Sequence, residues 1–291
     1  MSKLVRKDVD GFKWLLDIND RGIGRNLYTS NSSGKEFDFS REKIFMNLIN
    51  KCIKKNMTCL DLGANIGYAT MFMSRNSGND GTVYAIEPDS HNLKILEENL
   101  SLNNVENCFV SNCLITDITG EKDFWIAKNP NLNSVDKTKH SIKSKKVSSY
   151  TLEDFFIDKK YPNFIKMDVE GHEVSILNSG LNYFTKNRGE TFILMETHPH
   201  YYNSDNDFKK TLNDYYKIGF KIKYIIGTPT SEILPFKEKG YEPKVQINSD
   251  SWVRSLYEDI PQEDAINFTC NLFENVLGGK CVRSIMLYRE E

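Results

Sequence analysis

The sequence predicts a doubly wound α/β fold: seven strands in one open sheet with helical crossovers, plus a small N-terminal hairpin extension. Three observations carry that prediction. Apolar runs of strand length recur at 58–63, 82–87, 108–115, 163–169, 191–197, 220–227 and 282–289. Segments of helical periodicity stand between them, the alternation that produces crossover connections. The first run leads through Asp61-Leu-Gly-Ala-Asn-Ile-Gly67 into a helix and then to Thr82-Val-Tyr-Ala-Ile-Glu-Pro88. A strand, a glycine turn, a helix and a second strand ending in a carboxylate make half of a nucleotide-binding βαβ unit.

Taken in order, residues 1–39 differ in kind from the rest. Phe12–Ile18, a glycine turn over Asn19–Gly24, and Arg25–Tyr28 read as a β-hairpin. Such a piece is not stable alone and must pack on the main domain, residues 40–291. Ser40 is placed to cap a helix over 41–55, with Ile44, Phe45, Leu48, Ile49 and Ile53 on its apolar side. Asp89 is an N-cap for the helix carrying Leu93, Leu96 and Leu100. Residues 128–146 are lysine-rich (Lys137, Lys139, Lys143, Lys145, Lys146) and read as a solvated loop or hairpin, since no aromatics interleave to stack on bases. Ser204 or Asp205 opens a helix with Phe208, Leu212 and Tyr215 inward and Gly219 as its stop. Residues 228–257, with Pro229, Pro235, Gly240 and Pro243, read as a long loop after the sixth strand, expected to be a lid or acceptor loop. A long helix around 262–277 precedes the last strand, and no internal repeat is visible.

At 291 residues the chain can bury a full core. Its 27% charged and 39% apolar residues are ordinary for a globular protein, and a formal charge of -2 gives no case for nucleic acid or anionic membrane as a partner. The cysteines at 52, 59, 108, 113, 270 and 281 show no C-x-x-C pair and no zinc spacing. Cys59, Cys108, Cys113 and Cys281 fall in strand-like runs and read as reduced core thiols. No apolar run approaches spanning length and the start has no signal-peptide core, so a cytoplasmic setting is expected.

The glycine turn narrows the ligand. A dinucleotide fingerprint needs G-x-G-x-x-G, whereas Gly63-Ala-Asn-Ile-Gly67 gives G-x-x-x-G with Asp61 in front. That carboxylate suits a cationic ligand group and repels a phosphate, which disfavours a nicotinamide oxidoreductase. Gly63 and Gly67 let backbone approach a ligand, and Glu87 is placed to accept hydrogen bonds from both hydroxyls of a ribose. The spacing resembles motif I of the S-adenosylmethionine (SAM) methyltransferases, D/E-x-G-x-x-x-G with a later acidic residue. A second cluster follows from Phe164-Ile-Lys-Met-Asp-Val-Glu-Gly-His-Glu173. Asp168 ends the fourth strand, with Glu170, His172 and Glu173 in the turn after it, while Glu196 and His198 end the fifth. These groups should converge beyond the carboxyl ends of the strands. Lys166 either supplies them a counter-charge or faces the other side of the sheet.

Asp61-Leu-Gly-Ala-Asn-Ile-Gly67, Glu87-Pro88, Thr151-Leu-Glu-Asp-Phe155 and above all Ile165-Lys-Met-Asp-Val-Glu-Gly-His-Glu173 resemble the FkbM-type methyltransferases, from about Phe12 to Gly227. Motif I is shared by many methyltransferases; the K-x-D-x-E-G-x-E run is more specific to this family. Glu153 stands where many members have Asp, and the 228–257 segment looks particular to this chain. The resemblance implies a class I SAM methyltransferase (Rossmann-like) fold, with the last strand antiparallel between the fifth and sixth. It also implies O-methylation of a small-molecule or glycan acceptor, commonly a sugar or natural product. On this reading Asp61 and the turn Gly63, Asn65 and Gly67 hold the amino-acid end and sulfur region, and Glu87 the ribose. Adenine lies near Asn112, Cys113 and Leu114, and Asp168 borders the methyl donor. An alcohol calls for a general base, and His172 has the best ordinary pKa, with Glu170 or Glu196 as the choices if burial raises theirs. His198, His200, Tyr201 and Tyr202 read as acceptor-pocket walls. A divalent metal on Asp168, Glu170, Glu196 and His198 is the less favoured use of the same groups. Methylation of a nucleobase amine lacks its usual D/N-P-P-Y/F turn, and a catalytically silent SAM-binding scaffold is the alternative from another class.

Overall fold

The computed structural model describes residues 2–20, 22–30, 42–127, 133–227, 233–249, 252–271 and 282–291. Strands β1 (Leu4–Val9) and β2 (Phe12–Asp17) pair antiparallel around Asp10-Gly11, followed by helix α1 (Ile23–Thr29). The hairpin expected around Asn19–Gly24 is therefore displaced: its turn is Asp10-Gly11, and the Gly22–Gly24 stretch starts a helix instead. Asp20 decides this locally, its carboxylate accepting from the Gly22 and Gly24 amides. Trp14 and Leu16 are fully buried, and the Leu15 amide donates to Asn99. Asn99 in turn donates to the Ile66 carbonyl in the glycine turn, so the hairpin is tied to that turn through one side chain.

Helix α2 (Lys43–Cys52) buries Ile44, Phe45, Leu48 and Ile49; the expected cap Ser40 lies outside the described residues. Strand β3 (Thr58–Leu62), helix α3 (Tyr68–Ser77), strand β4 (Thr82–Ile86), helix α4 (Ser90–Leu102) and strand β5 (Cys108–Ser111) form the first βαβαβ unit. Asp89 caps α4 as expected, accepting from the His91 and Asn92 amides. The single strand expected over 108–115 breaks at Asn112-Cys113. Its continuation β6 (Leu114–Ile115) leaves the main sheet to pair with β8 (Ser141–Tyr150), which also pairs with β7 (Gly120–Ala127) in a three-stranded sheet. The lysine-rich segment is thus the far end of a hairpin, with Lys146 exposed on the face opposite buried Val147 and Ser149.

After the one-turn helix α5 (Leu152–Phe155) come β9 (Phe164–Met167), α6 (Glu173–Lys186), β10 (Thr191–Glu196), α7 (Phe208–Lys217) and β11 (Lys221–Gly227). Asp207, rather than Ser204 or Asp205, caps α7 by accepting from the Lys210 amide, while Asn203 takes the Asp205 and Asn206 amides. The 228–257 segment is no open loop where it is described. It holds α8 (Ile233–Glu238), β12 (Val245–Ser249) and β13 (Trp252–Glu258), which extends the sheet edge beside β11. Among its described prolines, Pro235 lies in the first turn of α8 and Pro243 precedes β12, where no ladder amide is needed. Helix α9 (Gln262–Ile266) passes into a π-helical turn over Asn267–Asn271; the rest of the expected 262–277 helix lies outside the described residues. The chain ends in β14 (Val282–Arg289).

The described strands of the main sheet run β12-β13-β11-β14-β10-β9-β3-β4-β5. Strand β14 lies antiparallel between β10 and β11, the position expected for the last strand, while β10, β9, β3, β4 and β5 are parallel. Strand order reverses between β3 and β9, so their carboxyl ends open a crevice. Alternating residues feed separate cores. Cys59 and Phe164 face the hairpin and α2 to α4, whereas Leu60 and Ile165 face α6 and α7. Cys59, Cys108 and Cys113 are free thiols, Cys108 only half-buried; Cys281 lies outside the described residues.

Candidate active site

Three turns at the carboxyl ends of β3, β4 and β9 bound a cleft of about 270 Å³, with Gly63, Asn65, Glu87, Cys113, Asp168 and Glu170 among its lining. Gly63 has φ +75°, and a Cβ there would overlap the Asp168 carbonyl oxygen. Its glycine is thus required by the neighbouring strand end, and Gly67, whose Cβ would strike Leu96, by α4. Neither needs a ligand to explain it, which differs from the sequence argument.

Asp61 does not reach the cleft wall. It is fully buried behind the turn, accepting from the Thr70 hydroxyl at 2.6 Å, with Lys166 Nζ 3.2 Å from its other oxygen. Lys166 also donates to the Gly63 carbonyl at 2.8 Å, so its charge stitches β9 to the glycine turn. Lys166 itself is on the lining; Gly67 is not.

Glu87 is 5% exposed and held rigidly: Oε2 accepts from the Asn65 amide at 2.7 Å and Oε1 from the Asp89 amide at 2.8 Å. Burial pushes its carboxyl up to about 7, against the pull of those two backbone bonds. Asn65 reaches this position with φ 52°, a conformation Asn tolerates. Asn112 stands off the cleft and donates to the Glu87 and Pro88 carbonyls, fixing the loop from behind. Cys113, Leu114 and Ile115 supply an apolar wall. A buried carboxylate beside a backbone turn and an apolar wall is a donor set that fits the ribose and base of a nucleoside.

The acidic turn forms the other end. Glu170 (φ 50°) and Gly171 (φ 96°) are consecutive left-handed residues, and a Cβ on Gly171 would overlap the Tyr201 ring. Asp168, Glu170, His172 and Glu196 all line the cleft. Burial and the Glu196 charge raise Asp168, and burial with the Asp168 charge pushes Glu170 up to about 7. His172 is turned between two carboxylates, Asp136 at 3.7 Å and Asp117 at 3.8 Å. His198 stands behind the lining, its Nδ1 2.8 Å from Oε1 of fully buried Glu173. Burial opposes a charge on His198, but Glu173, Glu196 and Asp168 outweigh it and hold its pKa at about 9. Glu173 also accepts from the Gly171 amide and the Tyr202 hydroxyl.

Sequence reasoning missed several parts. Arg283 of β14 bonds both Glu196 (3.2 Å) and Glu42 (3.0 Å) on the cleft wall; an arginine inside an apolar strand was the available signal. Gly22, Ile23 and Asn26 bring the N-terminal extension to the cleft. Asn133 donates to Asp89 and Ser134 to the Glu170 carbonyl, so the hairpin of the smaller sheet bridges both ends of the site. No described residue of 228–257 lines the cleft.

A family model described as the methyltransferase FkbM domain matches residues 61–222. Among solved structures, the chain is similar to a methyltransferase FkbM from Methylobacillus flagellatus KT, at 19% identity and TM-score 0.40 over 70% of this chain and 44% of that one. It is also similar to M. jannaschii TYW2 in complex with AdoMet, at 15% identity and TM-score 0.44 over 89% and 88%. A SAM-dependent O-methyltransferase from Thermotoga maritima matches at 12% identity and TM-score 0.41, over 100% and 78%. No curated protein matches the chain.

Proposed function

This chain belongs to the FkbM methyltransferase family, and on that premise we propose that it methylates a hydroxyl of a sugar, glycan or related natural product. The observation that carries the reading is the pairing, in one cleft, of the rigid Glu87 carboxylate with the acidic mouth of Asp168, Glu170 and Glu196. SAM supplies a methyl group already activated on a sulfonium, so in-line displacement needs positioning above all. Glu87 would take the ribose hydroxyls, the backbone from Gly63 to Asn65 the amino-acid end, and Cys113 to Ile115 the adenine.

The acceptor hydroxyl would sit at Asp168 and Glu170, either of which, made more basic by burial, would accept its proton as the methyl group is transferred. His172 lines the same mouth, its ring nitrogens 3.7–3.8 Å from Asp136 and Asp117 and its Nε2 without a hydrogen-bond partner among the described residues. An acidic mouth disfavours phosphorylated or carboxylated acceptors and suits neutral polyols. The hydroxyl class rests on the resemblance of the Lys166–Glu173 run.

Calorimetric titration with S-adenosylhomocysteine tests the cofactor half. Wild type should bind in the micromolar range, and Glu87→Ala should weaken binding roughly tenfold to a hundredfold, the worth of hydrogen bonds to a charged group. Transfer of label from SAM to sugars and glycans tests the rest. A folded wild type that binds no S-adenosylhomocysteine would sink the proposal.

A further inference from the structure

We infer that Asp168, Glu170 and His198 form a site for a hard divalent cation, Mg²⁺ or Mn²⁺, which binds two adjacent oxygens of the acceptor. The inference rests on the methyl-transfer reading and deepens it, since it names how the mouth would hold a hydroxyl and which acceptors it would prefer.

Each of the three side chains offers a donor atom, and these atoms lie within 4.8 Å of one another; His198 Nε2 becomes a donor by giving up its proton as the ion binds. Donors about 2.1 Å from a common ion stand ~3.0 Å apart when adjacent and ~4.2 Å when opposite, so rotamer shifts of roughly an ångström in the two carboxylate side chains bring all three onto one face of an ion. Asp168 and Glu170 line the cleft; His198 stands behind them.

The histidine is the second and independent indication. Its residue is only 6% exposed, and Glu173 fixes the ring by bonding Nδ1 at 2.8 Å. The other nitrogen, Nε2, is thereby aimed at the carboxylates but makes no hydrogen bond to any described residue. Its nearest acidic oxygens are 3.7 Å away on Glu170 and 4.0 Å away on Glu196. An imidazole nitrogen 3.7 and 4.0 Å from two carboxylates, too far to bond either, leaves room for an ion between them. A carboxylate on the far ring nitrogen is also the usual support of a metal-binding histidine.

Charge points the same way. Glu42, Asp168, Glu170, Glu173 and Glu196 crowd this end of the cleft, against Arg283, shared by Glu42 and Glu196, and His198, bonded to Glu173, while Lys166 is turned to Asp61. Burying surplus negative charge is costly unless something offsets it. Carboxylate oxygens with one imidazole and no thiolate select a hard ion, with Mn²⁺ favoured by the nitrogen. Three protein donors on one side leave the remaining octahedral positions to water and to the acceptor. A vicinal diol, common on sugars, fits two of them.

The test is Mn²⁺ titration followed by electron paramagnetic resonance, with saturating S-adenosylhomocysteine present. Wild type should take up one Mn²⁺ per chain, displaced by Mg²⁺. Asp168→Asn and Glu170→Gln should each weaken it at least ~10-fold, and Lys146→Ala, on the exposed face of the smaller sheet, should leave it unchanged. A wild type that binds S-adenosylhomocysteine calorimetrically, yet takes up no more Mn²⁺ than an Asp168→Asn/Glu170→Gln double variant, overturns the cation site and leaves the methyl-transfer reading standing. A folded wild type that binds neither ligand overturns both.

Discussion

A carboxylate as buried as Glu87 is costly unless its oxygens are bonded, and the Asn65 and Asp89 amides meet that condition while keeping it aimed at the cleft. Because burial pushes its carboxyl up to about 7, Glu87 is substantially protonated below neutrality. Ribose hydroxyls donate best to the anion, so binding draws the pKa down and releases a proton. Affinity for S-adenosylhomocysteine should therefore fall as pH drops from about 7 towards 5 and level off above 8. Calorimetry in two buffers of different ionisation enthalpy at pH 6.5 should show net proton release in wild type and none from this site in Glu87→Gln. The neighbouring Gly63 sets a steric limit. Gly63→Ala combines φ +75° with overlap of the Asp168 carbonyl, and should lower stability by about 1–3 kcal/mol in urea unfolding. An unchanged midpoint would mean that the turn and the end of β9 are not pressed together as described.

The N-terminal hairpin illustrates how an element too small to fold alone becomes part of a site. Trp14 is fully buried, and its neighbour Phe12 packs edge-on against Phe72 of α3 with ring centroids 5.1 Å apart. Trp14→Ala should cost about 3–5 kcal/mol, measured by chemical denaturation, because it opens a cavity in a shared core. A loss under 1 kcal/mol would indicate a hairpin that is only loosely applied. The hairpin of β7 and β8 is the second case. Its composition reads as solvated lysines, yet Asn133 and Ser134 near its tip tie the Glu87 loop to the acidic turn, and Lys145 donates to the Pro88 carbonyl. Element composition told its exposure but not its contacts.

At the scale of the molecule, Arg283 joins β14 to Glu196 at the end of β10 and to Glu42 beside α2, across 241 residues of sequence. Removing the guanidinium leaves two half-buried carboxylates without it. Arg283→Met should destabilise by roughly 3–5 kcal/mol, an upper figure because both carboxylates keep some exposure to solvent. Thermal unfolding with and without S-adenosylhomocysteine would separate lost stability from lost binding.

Much was legible in order along the chain because its cause is local. Strands β3, β4, β9, β10, β11 and β14 follow from apolar runs buried on both faces, and Asp89 caps α4 through amides two and three residues away. The same locality brought Glu87, Asp168 and Glu170 to strand ends beside the crevice, where sequence order alone places them. What sequence could not set was the direction in which a side chain spends its charge. Asp61 and Lys166 sit in register on adjacent strands and bond each other behind the turn, although Asp61 reads as a ligand contact. His172 reads as a base but meets Asp117 and Asp136 from a different sheet, and His198 finds Glu173 25 residues away. By itself the sequence determined the periodicities, the turns and the acidic character of the mouth, all of which depend on neighbours in the chain. Only the tertiary structure decided which charges pair, which nitrogen is left unbonded and which distant segments wall the cleft, because those outcomes depend on contacts between elements that no local pattern encodes.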